Sequence, residues 1–170
     1  MPTQKRRSLS IPRADSDPFD PRAARAAALA ALSRRDHSSH ELRHKLIAKG
    51  YEAALVDELL ERLRADRLLD DRRYLESFVA YHAGRGQGPH RIRSDLLKSG
   101  MQPAQADAAL EAYPDWGAQL KRAREKKFGT SPPTNYADGQ RQARFLAYRG
   151  FTSAQIRAAL GVDTDLNVDL

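Results

Sequence analysis

Leu46-Ile47-Ala48-Lys49-Gly50-Tyr51 returns fifty residues later as Leu96-Leu97-Lys98-Ser99-Gly100-Met101, and fifty residues after that as Leu146-Ala147-Tyr148-Arg149-Gly150-Phe151. The same shift superimposes Ala54 on Ala104 and Ala154, Val56 on Ala106 and Ile156, and Leu60 on Leu110 and Leu160. Self-similarity at a fixed period is the mark of a repeat protein. Each glycine ends an apolar-periodic segment, where a left-handed residue closes a helix and glycine adopts that conformation cheaply. The bulky apolar residue after each glycine can pack back on the helix that has just ended.

Working outward from Gly50, Ser38 with Glu41 three residues on has the form of a capping box. Leu42, Leu46 and Ile47 then share one helical face. A second helix is predicted from about 52 to 65, with Val56, Leu59, Leu60 and Leu63 at i, i+3, i+4 and i+7. In the second unit Pro89 suits a first helical turn. Ile92, Leu96 and Leu97 form the face, and a helix starting at Pro103 buries Ala106, Ala109, Leu110 and Tyr113. In the third unit the corresponding residues are Phe145 and Leu146, then Ile156, Ala159 and Leu160. Each pair is preceded by a further helix opening at an aspartate, Asp20, Asp70 or Asp115, which suits the positive end of the helix dipole. Those helices offer Leu29 and Leu32 (21–34), Tyr74, Leu75, Phe78 and Val79 (70–84), and Trp116, Leu120 and Ala123 (115–128).

The expected fold is therefore all-α: three tandem three-helix repeats forming an elongated, curved helical-repeat protein. The repeats are expected at 20–69, 70–114 and 115–161, flanked by a basic tail (1–19) and an acidic tail (162–170), both disordered. No unit has much apolar surface of its own, so neighbours are expected to stack into a shared core. Alternating Val/Ile/Thr runs are absent, which argues against strands. Thr130-Ser131-Pro132-Pro133-Thr134-Asn135 cannot be helical throughout and reads as a rigid, exposed loop.

Composition narrows the function classes. The 170 residues contain no cysteine, which removes disulfides, thiolate metal sites and thiol nucleophiles. No apolar run approaches the roughly 20 residues of a membrane helix. The basic stretch from Met1 to Arg13 lacks the apolar run of a secretory leader, so the expected compartment is the cytoplasm. The net charge of +7 is unevenly spread: residues 116–161 hold 9 basic and 2 acidic side chains, whereas residues 71–115 hold 6 of each. A positive face concentrated in one segment suits an anionic partner, although any exposed helix also carries solubilising charge.

Constellations that suggest chemistry are incomplete. His40 and His44 would share a helical face, as paired metal ligands do, but His37 lies before the N-cap and nothing completes a tetrahedral set. No metal or other cofactor is expected. Gly84-Arg85-Gly86-Gln87-Gly88 follows no strand and precedes no Gly-Lys-Ser/Thr, so it reads as a flexible joint rather than a phosphate loop. Free N–H groups at the following helix start could still meet an anion. Asp70-Asp71 is explained by its helix N-terminus, and no nucleophile or second catalytic group accompanies it. The chain is read as a non-enzyme.

The candidate contact residues are basic. Arg43, Lys45 and Lys49 lie in the middle helix of the first unit, Arg91, Arg93 and Lys98 in that of the second, and Arg141, Arg144 and Arg149 in that of the third. Arg43 and Arg93 obey the repeat shift. Lys121, Arg122, Arg124, Lys126 and Lys127 form a dense cluster, and Arg72 and Arg73 complete the set. Units presenting like charge could track a repetitive partner such as a nucleic-acid backbone or a filament; equally, Arg and Lys are good formers of exposed helix.

Four blocks, taken together, resemble the RecX regulatory proteins. They are Arg35-Asp36-His37-Ser38 with Glu41-Leu42 and Lys45-Leu46; Leu69-Asp70-Asp71-Arg72-Arg73-Tyr74 with Phe78-Val79; Gly88-Pro89 with Arg91-Ile92, Leu96 and Gly100; and Lys127-Phe128-Gly129 with Arg144-Phe145-Leu146 and Arg149-Gly150-Phe151. The resemblance spans about residues 22–160 and implies three three-helix repeats, in agreement with the periodicity. It further implies a monomer that binds the RecA–DNA filament in its groove. Such a protein inhibits strand exchange and ATP hydrolysis, and so modulates recombinational repair and the SOS response, with single- and double-stranded DNA met as part of the filament. The family offers no catalytic residues to carry over. The rival readings are a RecA-independent DNA-binding helical-repeat protein, whose affinity would fall steeply with salt, and an adaptor for an acidic protein, which has little support in the residues.

Overall fold

The computed structural model describes residues 17–161, and over these the chain is all-helical: nine helices occur and no strand. None of the helices is long and apolar enough to cross a membrane. The expected tails at 1–16 and 162–170 lie outside the described residues. Two compact units divide between Asp70 and Asp71.

The first unit contains α1 (Pro21–Leu32), α2 (Ser39–Ala48) and α3 (Ala53–Ala65). Asp20 caps α1 by accepting from the Arg22 and Ala23 N–H groups at 2.8 and 3.2 Å. Ser38 caps α2 by accepting from the Glu41 N–H at 3.0 Å. Residues 17–19, assigned to the tail on sequence grounds, are held against the unit: the Pro18 carbonyl accepts the Glu52 N–H at 3.0 Å. The core is formed by Leu42, Leu46, Val56, Leu60 and Leu63 with Ala24, Ala28 and Ala31. The buried face of α1 is thus its alanines at i, i+4 and i+7, a stripe of small residues whose packing surface lies close to the backbone. Leu29, expected inside, is 36% exposed.

The second unit contains α4 (Asp71–Gly84), α5 (Pro89–Lys98), α6 (Pro103–Glu111), α7 (Trp116–Phe128), α8 (Tyr136–Tyr148) and α9 (Ser153–Leu160). α4, α5 and α6 enclose Tyr74, Leu75, Val79, Ile92, Leu96, Met101, Ala106 and Leu110. α7, α8 and α9 enclose Leu120, Ala143, Leu146, Phe151, Ile156 and Leu160. Within the second unit the apolar residues therefore gather into two clusters, one per repeat, instead of the single shared core expected from the sequence. Trp116 packs on both clusters of the second unit, and its indole N–H donates to the Leu110 carbonyl at 3.1 Å.

The three periodic glycines share one backbone conformation, with φ of 97° at Gly50, 85° at Gly100 and 91° at Gly150. Each sits in a Schellman closure. Tyr51, Met101 and Phe151 donate N–H to the carbonyls of Leu46, Leu96 and Leu146 at 3.3, 3.1 and 3.1 Å. All six of those side chains are buried, so each stop also anchors a core.

Gly84-Arg85-Gly86-Gln87-Gly88, read as a flexible joint, is instead where the second and third repeats meet. The Gly88 N–H donates to the Arg149 carbonyl at 2.8 Å, and the His90 N–H to the Gly150 carbonyl at 2.9 Å. The open donors at the start of α5 are thereby satisfied by the open acceptors at the end of α8, with complementary dipole ends facing. The approach leaves no room for side chains: a Cβ on Gly88 would lie 2.3 Å from the Gly150 carbonyl carbon, and one on Gly150 would lie 2.6 Å from the Arg91 backbone nitrogen. The Gly88 and His90 N–H groups, which could have met an anion, are therefore already occupied.

Candidate anion-binding cleft

The two repeats of the second unit flank a cleft of about 370 Å³ lined by Gly84, Arg85, Gly86, Gln119, Arg122, Ala123, Lys126, Lys127, Phe145 and Arg149. α7 supplies half of that lining at i, i+3, i+4, i+7 and i+8, which is one face of a helix. The face beside it is buried through Leu120 and Arg124. Arg122, Lys126 and Lys127 are exposed and have no carboxylate partner among the described residues. Arg85 projects from the turn after α4. Its guanidinium lies 5.6 Å from the Tyr81 ring centroid and donates to the Tyr81 hydroxyl at 3.2 Å. Arg149 lies 5.2 Å from the Phe145 ring centroid. Rings of this kind hold guanidinium groups in place without neutralising them. Five cations thus surround the cleft and no acidic side chain lines it.

The other cations singled out from the sequence are distributed differently. Arg43 donates to both carboxylate oxygens of Asp57 at 2.6 and 3.1 Å, and Arg93 to both of Asp107 at 2.6 and 3.1 Å. Each Arg–Asp pair bridges the second and third helices of its repeat. The hydrogen bond from the arginine is the main cause that holds each aspartate below the usual carboxylate range. Lys45 contacts the His37 ring at 3.4 Å, Arg72 pairs with Glu76 at 2.9 Å, and Lys98 lies 4.0 Å from Asp95. Arg73 occupies the first turn of α4, and Arg91 packs its Cβ towards Gly150. Lys121 lies 4.0 Å from Glu125 on α7, while Arg144 is exposed and without an acidic partner among the described residues.

Arg124, grouped with the exposed cluster on sequence grounds, is only 8% exposed. It donates to the Gln142 side-chain oxygen at 2.8 Å and to the Ser131 carbonyl. Gln142 in turn donates to Asp138 at 3.0 Å, and Asp138 also takes Arg141 at 2.8 Å and the Thr134 N–H at 3.3 Å. Burial opposes the Asp138 charge, but these three donors outweigh it and hold the carboxyl below its ordinary range. Arg124 and Asp138 thus pin the Pro132-Pro133 loop, and Arg141, 5.4 Å from the Phe128 ring centroid, is part of that scaffold.

Arg85 and Gln119 are cleft residues that the sequence reading did not select. The i, i+3, i+4, i+7, i+8 spacing on α7 could have found Gln119; Arg85 reaches the cleft only through the glycine junction. His40 and His44 bring their Nε2 atoms within 3.1 Å of each other, and no group of three metal-ligating side chains occurs among the described residues.

Fold and cleft together define a helical-repeat protein whose last two repeats flank a positively charged cleft. The chain belongs to the RecX family. Models of the first, second and third RecX three-helix domains match residues 24–63, 70–110 and 118–160. "Regulatory protein RecX" of Halorhodospira halophila is 44% identical over 138 residues, covering 81% of this chain and 86% of that one. The protein of the same name from Pseudomonas fluorescens SBW25 is 42% identical over 145 residues, covering 84% and 94%. The crystal structure of RecX from Lactobacillus salivarius shares the fold, with a TM-score of 0.70 at 23% identity over 83% of this chain and 94% of that one. A second RecX crystal structure gives 0.68 at 22% identity over 84% and 72%.

Proposed function

We propose that this chain is a non-catalytic regulator that binds the RecA–DNA filament and lowers its strand-exchange and ATPase activities, thereby modulating recombinational repair and the SOS response. The observation that carries the reading is the match to all three RecX domains, whose relatives are named regulatory proteins. The cleft adds to it: a protein that works on a polyanionic filament needs uncompensated positive charge, and the third repeat supplies it. The mechanism is occlusion. A basic helical-repeat protein lodged on the filament blocks access of a second duplex or of further protomers. The proposed contacts are Arg122, Lys126, Lys127, Arg144 and Arg149, followed by Arg91, Lys98, Lys121, Arg141, Lys45, Arg72 and Arg73. Arg43 and Arg93 rank last, because each guanidinium already satisfies an aspartate. The protein acts as a cytoplasmic monomer, and no cofactor is required.

The test is RecA-catalysed ATP hydrolysis on single-stranded DNA with the purified protein titrated in. A fall in turnover that saturates with added protein is expected. Unchanged turnover, with no binding to the filament, ends the proposal.

A further inference from the structure

We propose that the cleft between the α4–α5 turn and α7 is the place where this protein grips the sugar–phosphate backbone of a DNA strand directly, without help from a filament protein. This deepens the function proposed above by assigning the nucleic-acid contact to one named site. Along α7, Arg122 and Lys126 are four residues apart, so successive cations rise by about 6 Å. Arg85 and Arg149 supply charge from the other walls, each fixed over an aromatic ring. Arginine forks suit two oxygens of one phosphate, whereas lysines act as point charges that tolerate variation in its position.

An acidic protein segment is the competing ligand, and the cleft is poorly built for one. Besides any arginine cluster, most peptide recognition draws on unpaired backbone groups or apolar anchoring pockets. Here the Gly86 N–H is bonded to the Ala83 carbonyl at 2.8 Å, and the Gly88 and His90 N–H groups are taken by Arg149 and Gly150. Phe145 and Ala123 are the apolar side chains of the lining, and what the cleft chiefly offers a ligand is charge, which a phosphodiester chain carries at every residue and at high density.

The experiment uses the full chain, a fluorescein-labelled single-stranded oligothymidylate and anisotropy across a salt series, with no recombinase present. Binding should weaken with salt with a log–log slope of about −3.5, as expected for roughly five phosphates contacted on a single strand. Arg122→Glu with Lys126→Glu should weaken binding at least tenfold. The neutral pair Arg122→Gln with Lys126→Gln should weaken it less and lower the slope by roughly 1.4. Arg22→Glu with Arg34→Glu, exposed on the first unit, makes the same net charge change as the first pair and should alter affinity less than threefold. Circular dichroism checks that helicity is retained in each.

Three results overturn the proposal: no salt-sensitive binding by the unaltered protein, equal loss from the first-unit pair, or displacement of the oligonucleotide by polyglutamate as readily as by unlabelled DNA. The last would assign the cleft to an acidic protein partner. Failure here with the ATPase effect intact removes the cleft assignment and leaves the regulator reading standing. The converse outcome removes that reading and leaves the cleft.

Discussion

Gly50 and Gly150 look alike in the sequence and adopt the same left-handed backbone, but they are under different constraints. A Cβ on Gly50 would meet open space, so Gly50→Ala should cost only the conformational penalty, about 1 kcal/mol. Gly150→Ala adds a collision with the Arg91 backbone and should cost about 3 kcal/mol, read from urea denaturation of the two variants side by side. Gly88 is extended, with φ −89°, so its need for glycine is a matter of space alone. Gly88→Ala should speed amide exchange at His90 while leaving the first unit untouched. Equal protection in variant and parent would show that the junction yields easily. The left-handed stops could be read from one helix at a time; the role of Gly88 could not, because its partner, Arg149, is 61 residues further along the chain. His37 shows a second constraint at this scale. Its Nδ1–H donates to the Arg35 carbonyl at 3.0 Å, and its Nε2 faces the Lys45 ammonium at 3.4 Å, an arrangement that fits the neutral ring. Burial, aided by the charges of Arg35 and Lys45, lowers its pKa against the pull of the carbonyl. The unfolded chain therefore takes up this proton first as pH falls, and stability present above about pH 6.5 is lost on moving down towards the folded value. His37→Gln should flatten that slope in denaturation curves taken between about pH 7.5 and 5.5.

Between elements, the fifty-residue shift governs electrostatics as well as apolar packing. Arg43–Asp57 and Arg93–Asp107 tie α2 to α3 and α5 to α6 with matching geometry. The third repeat has Ala143 and Arg157 at the equivalent positions. The arginine is gone, and a cation replaces the acid, which accounts for part of that repeat's charge excess. Both aspartates are held below the usual carboxylate range, so their contribution to stability is present above about pH 4 and is lost as pH falls through the folded values. Asp57→Asn with Asp107→Asn should lower stability at neutral pH and reduce the acid-side fall in thermal midpoint; an unchanged acid limb would show the pairs to be inert. The sequence showed the periodicity of Arg43 and Arg93 but suggested a partner outside the chain. Asp57 and Asp107 obey the same shift and were equally visible, but a spacing of fourteen residues becomes a contact only once the turn between the helices is known. The helix faces were more legible, because 3.6-residue periodicity is local. α1 departed from expectation where alanines displaced leucines at the contact, a choice fixed by how closely its neighbours approach.

At the level of the whole chain, the repeat count and all-helical class were readable from three glycines and their apolar companions. The core was less legible: in the second unit two clusters form, joined at Trp116, and cluster membership depends on distances that sequence periodicity does not carry. The candidate site was half-legible: net charge pointed to residues 116–161, but exposure separated Arg122 and Lys126 from buried Arg124 only once the fold was known. Arg144→Glu with Arg149→Glu should weaken binding to RecA–single-strand filaments about tenfold and make it less salt-sensitive, with helicity retained. Reversal of Arg22 and Arg34 should do neither, and a loss of helicity in the first pair would show those arginines to be structural. The bonds from Gly88 to Arg149 and from His90 to Gly150 also impose an order on synthesis. When α5 leaves the ribosome, the acceptors for its first donors are still about sixty residues from being made, a wait of roughly 3 to 12 s at about 5–20 residues per second. Until then the nascent second repeat exposes a raw helix end to solvent, and a stall in that interval would leave a chain whose α5 start still lacks its acceptors.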